Sequence, residues 1–114
     1  MVTKVLIQNN TRHLLVRVKE FLNVANSEFD VEKAYLFGST AKGKRHSESD
    51  VDLIIVSSSF RKVHPLKRLE KLLGHWHYIE ELEILAYTPE EFDQIRNRLL
   101  MKEILSYAID LTPE

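Results

Sequence analysis

The sequence predicts an α/β (α+β) fold in which a small mixed β-sheet is flanked by helices. Three apolar segments have the length and composition of strands, and they cover residues 34–37, 51–57 and 82–87. Segments with helical apolar spacing lie before, between and after these strands. Elements that alternate in this way pack as a sheet against helices.

The composition indicates one globular domain that spans residues 1–114. A chain of 114 residues has the length of a single domain, and its 44% hydrophobic and 29% charged residues are ordinary for a globular protein. The net charge of −1 provides no field for holding a long nucleic acid, so none is expected as a partner. No run of eighteen apolar residues and no apolar signal-peptide core occurs, so no membrane partner is expected.

The chain contains no cysteine. This absence excludes disulfides, thiolate metal sites and cysteine nucleophiles from its chemistry. It also fits an intracellular protein, and we expect a cytoplasmic location.

The first half of the chain predicts a helix, a strand and a short second helix. Residues 1–9 fit either a short strand or the start of the first helix. Residues 11–27 predict a helix because their apolar residues form one stripe, namely Leu14, Leu15, Val18, Leu22 and Ala25. The strand at 34–37 ends at Gly38, where Ser39 is expected to cap a short helix that Gly43 ends.

The second half predicts two strands that alternate with two helices. The strand at 51–57 contains an unbroken apolar run, which implies burial on both faces. After a loop at 57–59, Pro65 starts a helix that ends before Gly74. Thr88 and Glu91 form a capping box that starts a final helix at about 89–109. The predicted buried side of this helix consists of Phe92, Ile95, Leu99, Ile104 and Ala108.

A glycine-serine turn and a pair of aspartates carry the predicted chemistry. Gly38 and Ser39 follow the first strand, and their amides at a helix start suit phosphate groups. Asp50 and Asp52 stand at alternate positions where the second strand begins, so they share one face. Two carboxylates placed in this way suit Mg²⁺, which takes oxygen ligands together with substrate phosphates.

Either motif alone has an ordinary structural explanation. Glycine-serine turns are common, and aspartate often stands at strand ends. The two motifs together, separated only by residues 40–49, are far more specific. An anion-binding turn beside metal-binding carboxylates predicts phosphoryl or nucleotidyl transfer.

This pattern resembles the DNA polymerase β-type nucleotidyltransferase superfamily, and the short length is similar to its minimal nucleotidyltransferases. The resemblance covers about residues 30–92, with helices at about 11–27 and 89–109 flanking that core. It implies that Asp50, Asp52 and a third carboxylate hold two Mg²⁺ ions. The best match for the third is Glu83 at a position where the family often has Asp, and Glu81 is the alternative because it has the same strand parity.

The resemblance also implies how ATP or another nucleoside triphosphate is bound. Gly38 lets the backbone approach the triphosphate, and Ser39 offers its amide and hydroxyl. Basic residues follow the turn, and Lys42 and Arg45, with Lys44 between them, are candidates for pairing with the phosphates. The alternative for each basic residue is a solvated loop.

The resemblance further implies a partner. Minimal nucleotidyltransferases are similar to antitoxins that transfer AMP to a tyrosine hydroxyl of a helical HEPN-domain toxin. Two alternatives stay open: a module that neutralises its partner by contact alone, and a transferase that modifies an aminoglycoside-type small molecule. The final helix is expected to expose an apolar surface, formed by Leu99, Leu100, Met101, Ile104 and Leu105 and rimmed by Arg96, Arg98 and Lys102. The same surface could instead form a homodimer.

His75 and His77 have a spacing that zinc ligands also use. No third ligand is evident nearby, so a partly exposed loop is the favoured interpretation. Trp76 and Tyr78 are expected to lie in the core or an interface.

Overall fold

The computed structural model describes residues 2–43 and 50–114, with side chains from residue 12 onward. Its first half contains α1 (Val2–Glu28), β1 (Lys33–Phe37), α2 (Gly38–Ala41) and β2 (Val51–Val56). The second half contains a 3₁₀ turn (Ser58–Lys62), α3 (Pro65–Leu73), β3 (Leu82–Tyr87), α4 (Pro89–Ile95), α5 (Leu99–Tyr107) and β4 (Ile109–Asp110).

The sheet has four strands in the order β3-β2-β1-β4. β2 and β3 are parallel, whereas β1 pairs antiparallel with both β2 and β4. The prediction of a small mixed sheet flanked by helices is therefore confirmed. Three of the strands were predicted, while the short β4 was not because two residues carry too little pattern to indicate a strand.

One face of the sheet packs against α1, α3 and the 3₁₀ turn. Leu53 and Ile55 of β2 and Leu36 of β1 are completely buried on this side. Leu14, Val18 and Leu22 of α1 complete the same cluster, as their shared stripe predicted. Burial of this stripe is the main reason that α1 stays on the sheet.

The opposite face packs against α4 and α5 and carries a second, smaller cluster. Ile54 and Val56 contact Phe92 of α4 together with Met101 and Ile104 of α5. Both faces of β2 are therefore buried, as its continuous apolar run predicted. The start of β2 on this face has polar neighbours instead, and it forms the site described below.

The first and last helices differ from their predicted bounds. α1 begins at Val2, so residues 2–9 are helical and the strand alternative for them is wrong. Its 27 residues make it the longest helix, but no helix in residues 2–43 or 50–114 is long and apolar enough to cross a membrane. The continuous helix predicted at 89–109 is also wrong, because the chain breaks between α4 and α5.

The chain changes direction at Arg98, between α4 and α5. Its backbone is extended, with φ −70° and ψ 148°, and its carbonyl accepts the first hydrogen bond of the new helix from Lys102 at 2.8 Å. α5 is therefore rotated relative to a continuous helix. Leu99, predicted to be buried, is 86% exposed.

The apolar surface expected on the last helix is correspondingly smaller. Met101 and Ile104 belong to the core, and Leu105 is half-buried against it. Leu99 and Leu100 stay exposed, at 86% and 69%. Only these two of the five expected residues form an exposed apolar surface.

Two local predictions near the first strands also need correction. α2 begins at Gly38 after an extended Phe37 with no side-chain cap, so Ser39 is inside the helix and does not cap it. The loop expected at 57–59 is largely a 3₁₀ turn, in which Ser57 accepts a hydrogen bond from the Ser59 amide and Phe60 is buried. Burial of Phe60 holds this turn against the core.

A buried arginine joins α3 to α4. Arg68 is 4% exposed, and its guanidinium donates to Glu91 Oε1 at 2.7 Å. The same guanidinium donates to backbone carbonyls of the 3₁₀ turn, of Val63 and of β3. Glu91 also accepts from the Thr88 amide, which confirms the predicted capping box. The hydrogen bond from Arg68 is the main cause that lowers the pKa of Glu91.

Glu91→Gln is expected to lower the free energy of unfolding at pH 7 by about 2 kcal/mol, because the buried guanidinium loses its charged partner. A carboxyl whose folded pKa is depressed stabilises the fold above its unfolded pKa, and this contribution is lost as the pH falls through the folded pKa. The difference between wild type and variant should therefore shrink in acid. Urea unfolding at pH 7 and pH 3 measures it.

Glu90→Gln is the matched control, since Glu90 forms an exposed ion pair with Arg61. Exposed pairs of this kind contribute little to stability, so this variant should unfold like wild type at both pH values. Equal losses in the two variants would contradict the role assigned to Arg68.

Candidate active site

The strand register brings two carboxylates together at the start of β2. Asp52 pairs with Phe37 of the antiparallel strand β1 and with Glu83 of the parallel strand β3. Residues in register on neighbouring strands point to the same face. Asp52 and Glu83 therefore lie side by side. They are on the same sheet face as the α4 and α5 helices, which cover this face only farther along the strands.

The environment of Asp52 disfavours its ionised form. Burial raises its pKa from 3.8 to about 6, and a hydrogen bond and the charge of Glu83 contribute to the same shift. A hydrogen bond between two carboxyl groups needs a proton held between them. When both carboxyl groups are ionised, the pair concentrates negative charge that a cation would relieve.

Gly38 lies directly against Asp52. Its φ is +76°, a conformation that favours glycine, and a Cβ atom at this position would be 2.2 Å from Asp52 Oδ2. No side chain fits between the turn and the carboxylate. The fold thus brings Gly38 of the glycine-serine turn against Asp52.

A residue that the sequence did not single out also contacts the turn. Tyr107, at the end of α5, accepts a hydrogen bond from the Gly38 amide at 3.1 Å. The ammonium group of Lys42 lies 4.7 Å from the centre of the Tyr107 ring. The amide and the cation expected to face phosphate are both engaged by this tyrosine. Its separation of 69 residues from Gly38 left no local signal.

Asp50 and Glu81 stand at the edge of this cluster. Asp50 is half-buried, and its charge makes the smallest contribution to the raised pKa of Asp52. Glu81 is exposed and precedes β3, where its carbonyl accepts from the Val51 amide at 2.8 Å. In the described part of the chain, no three His, Asp or Glu side chains are arranged as a metal site. The fold therefore joins Asp52 with Glu83 most closely.

The remaining predicted site residues fall into two groups. Ser39 and Lys42 follow Gly38 directly, in α2 and at its end. Lys44 and Arg45 lie outside the described residues. The sequence places Arg45 within the segment that joins the turn to Asp50.

The histidines at 75 and 77 follow α3 in a turn and not a strand. His75 contacts Glu28 of α1 at 2.8 Å, and among the described residues neither histidine belongs to a group of three side chains that could hold a metal ion. Trp76 packs against Phe21 and donates from its indole to the Glu80 carbonyl at 2.7 Å. These contacts support a structural role for this segment.

Comparisons with known proteins show the family and the fold of this chain. Residues 18–113 match the profile of a family described as nucleotidyltransferase domain. A crystal structure from Sulfolobus solfataricus, provisionally assigned as a nucleotidyltransferase, superposes with a TM-score of 0.67 at 18% identity. The superposition covers 91% of this chain and 84% of that one, which shows a shared fold. No curated protein matches the sequence.

Proposed function

Because the chain belongs to the nucleotidyltransferase domain family, we propose that it transfers AMP from ATP to a hydroxyl group in a Mg²⁺-dependent reaction. Nucleotidyl transfer itself is supported by the family. The nucleotide, the metal and the acceptor are the proposed parts. They rest on the residues that the fold brings together around the start of β2.

The observation that carries the proposal is the Asp52–Glu83 pair against Gly38. Asp52 and Glu83 are register partners on neighbouring strands, and burial followed by the nearby Glu83 raises the pKa of Asp52 to about 6. A turn too tight for a Cβ atom places the backbone of Gly38 against Asp52. Carboxylates next to a glycine turn suit a nucleoside triphosphate with its metal.

In this proposal Asp52, Glu83 and Asp50 are the residues that would hold Mg²⁺. All three offer oxygen ligands. The charge of Glu83 contributes to the raised pKa of Asp52, and a divalent cation would neutralise the negative charge of the two groups. When bound, Mg²⁺ supplies charge neutralisation at the phosphates and activation of the attacking hydroxyl, and two ions are expected. A carboxylate must be deprotonated to bind a metal ion, and its strand fixes the direction in which it points.

The chain's own groups then bind the triphosphate and accept a proton. Ser39 and Lys42 lie beside Gly38 and would contact the phosphate oxygens. The acceptor oxygen attacks the α-phosphorus, the bond to the β-phosphate breaks, and pyrophosphate leaves. The hydroxyl proton passes to Glu83, an exposed residue that lies next to Asp52.

The proposed acceptor is a tyrosine hydroxyl of a helical HEPN-domain partner, for which this chain would act as the antitoxin. Leu85 lies two residues after Glu83 on the same strand face and is 37% exposed. At the start of α5, Leu99 and Leu100 are also exposed, and the neighbouring Arg98 and Lys102 are exposed cations. Apolar residues with a basic rim suit a protein partner that carries acidic groups.

Glu83→Gln is expected to reduce AMP transfer by roughly 10²-fold or more, because a neutral amide holds neither the metal nor the proton. Glu81→Gln should transfer at close to the wild-type rate, since Glu81 precedes the strand. Transfer of label from α-³²P-ATP in the presence of Mg²⁺ measures both variants. Full activity of the first variant with loss in the second would contradict the assignment of Glu83.

A further inference from the structure

Tyr107 engages two groups of the turn through two different parts of its side chain. Its hydroxyl oxygen accepts from the Gly38 amide at 3.1 Å. The face of its ring lies 4.7 Å from the Lys42 ammonium group, and the negative face of an aromatic ring attracts a cation. One side chain thus offers an acceptor oxygen and a negative surface, the same two features that a phosphate group offers.

The pairing of β4 with β1 explains why Tyr107 reaches the turn. Tyr35 pairs with Asp110 and Leu36 pairs with Ile109, so the antiparallel register continues from Ile109 back towards Tyr107 as it continues from Leu36 towards Gly38. The backbone of Ala108 is extended, with ψ 148°, and links α5 to β4. Main-chain pairing therefore holds the neighbouring backbone near the turn, and the side chain of Tyr107 reaches Gly38 from there.

We propose that Tyr107 is an internal substitute for the triphosphate, which binds by displacing the tyrosine from Gly38 and Lys42. This inference rests on the nucleotide site proposed above. A hydrogen bond from an amide to a charged phosphate oxygen is stronger than one to a neutral hydroxyl, so the exchange favours the nucleotide. The tyrosine then sets nucleotide affinity, because its contacts must be given up on binding.

Tyr107→Phe tests the proposal because it removes the hydroxyl and keeps the ring over Lys42. Without the competing hydrogen bond, the variant should bind a non-hydrolysable ATP analogue with Mg²⁺ roughly two- to tenfold more tightly. Calorimetry measures the affinity. Tyr78→Phe is the matched control, since it removes a tyrosine hydroxyl that bonds Glu20 of α1, and its affinity should equal that of wild type.

The amide resonance of Gly38 supplies a second readout, and with 3 glycines in the chain it is readily assigned. Tyr107→Phe should shift this resonance in the free protein, and the difference from wild type should vanish when both are saturated with nucleotide. Equal or weaker binding by the variant, or a difference that persists at saturation, would overturn the proposal while leaving the function intact. Absence of nucleotide binding in wild type and variant would overturn both.

Discussion

Asp52→Asn is expected to reduce nucleotidyl transfer by at least about 10²- to 10³-fold while the fold is retained. The amide has the shape of the carboxyl but carries no charge for a metal ion. Burial and Glu83 raise the pKa of Asp52 to about 6, so its ionised form opposes folding as the pH rises from about 4 to 6. At pH 7 the variant should therefore be at least as stable as wild type.

Two measurements separate chemistry from folding in this variant. Thermal unfolding at pH 7 should give a Tm no lower than that of wild type, whereas calorimetry with nucleotide present should show weaker Mg²⁺ binding. Asp93→Asn is the matched control, because Asp93 is an exposed aspartate of α4 and should keep both properties. Equal Mg²⁺ affinity in wild type and Asp52→Asn would contradict the metal role.

Gly38→Ala is expected to lose transfer by about 10²-fold and stability by about 1–3 kcal/mol. The added Cβ would lie 2.2 Å from Asp52 Oδ2, so the turn or the carboxylate must move. The positive φ adds strain for any side chain. Binding of a labelled triphosphate analogue and urea unfolding measure the two losses.

Gly43→Ala separates these two causes. Gly43 has nearly the same φ, +73°, but a Cβ atom there would meet nothing within 4 Å. This variant should lose about 1 kcal/mol of stability through strain alone and keep its transfer activity. If both alanine variants lost activity equally, the contact of Gly38 with Asp52 would not be the reason.

The sequence predicted the elements whose residues carry a local pattern. Alternation placed Asp50 and Asp52 on one strand face, and the β2–β3 register then put Glu83 beside Asp52. Periodicity could not distinguish Glu81 from Glu83, because the two residues have the same strand parity. Which of the two glutamates lies beside Asp52 depends on the register of β2 and β3, two strands about thirty residues apart in the sequence.

Features that depend on distant contacts could not be predicted in the same way. The break at Arg98 lies within a segment whose composition suits one helix, and packing of Met101 and Ile104 on the sheet decides its direction. β4 is too short for a pattern, yet its pairing with β1 brings Tyr107 to Gly38. The amide of Gly38, predicted to face phosphate, therefore faces a tyrosine hydroxyl in the protein alone.

Transfer of label from ATP to a protein tyrosine tests the central claim most directly. The protein is incubated with Mg²⁺ and a helical HEPN-domain partner, in parallel with α-³²P-ATP and γ-³²P-ATP. Nucleotidyl transfer predicts label on a partner tyrosine from the α-labelled ATP alone, because the γ-phosphate leaves in pyrophosphate. Label from γ-³²P-ATP, or neutralisation of the partner without any label, would contradict the account.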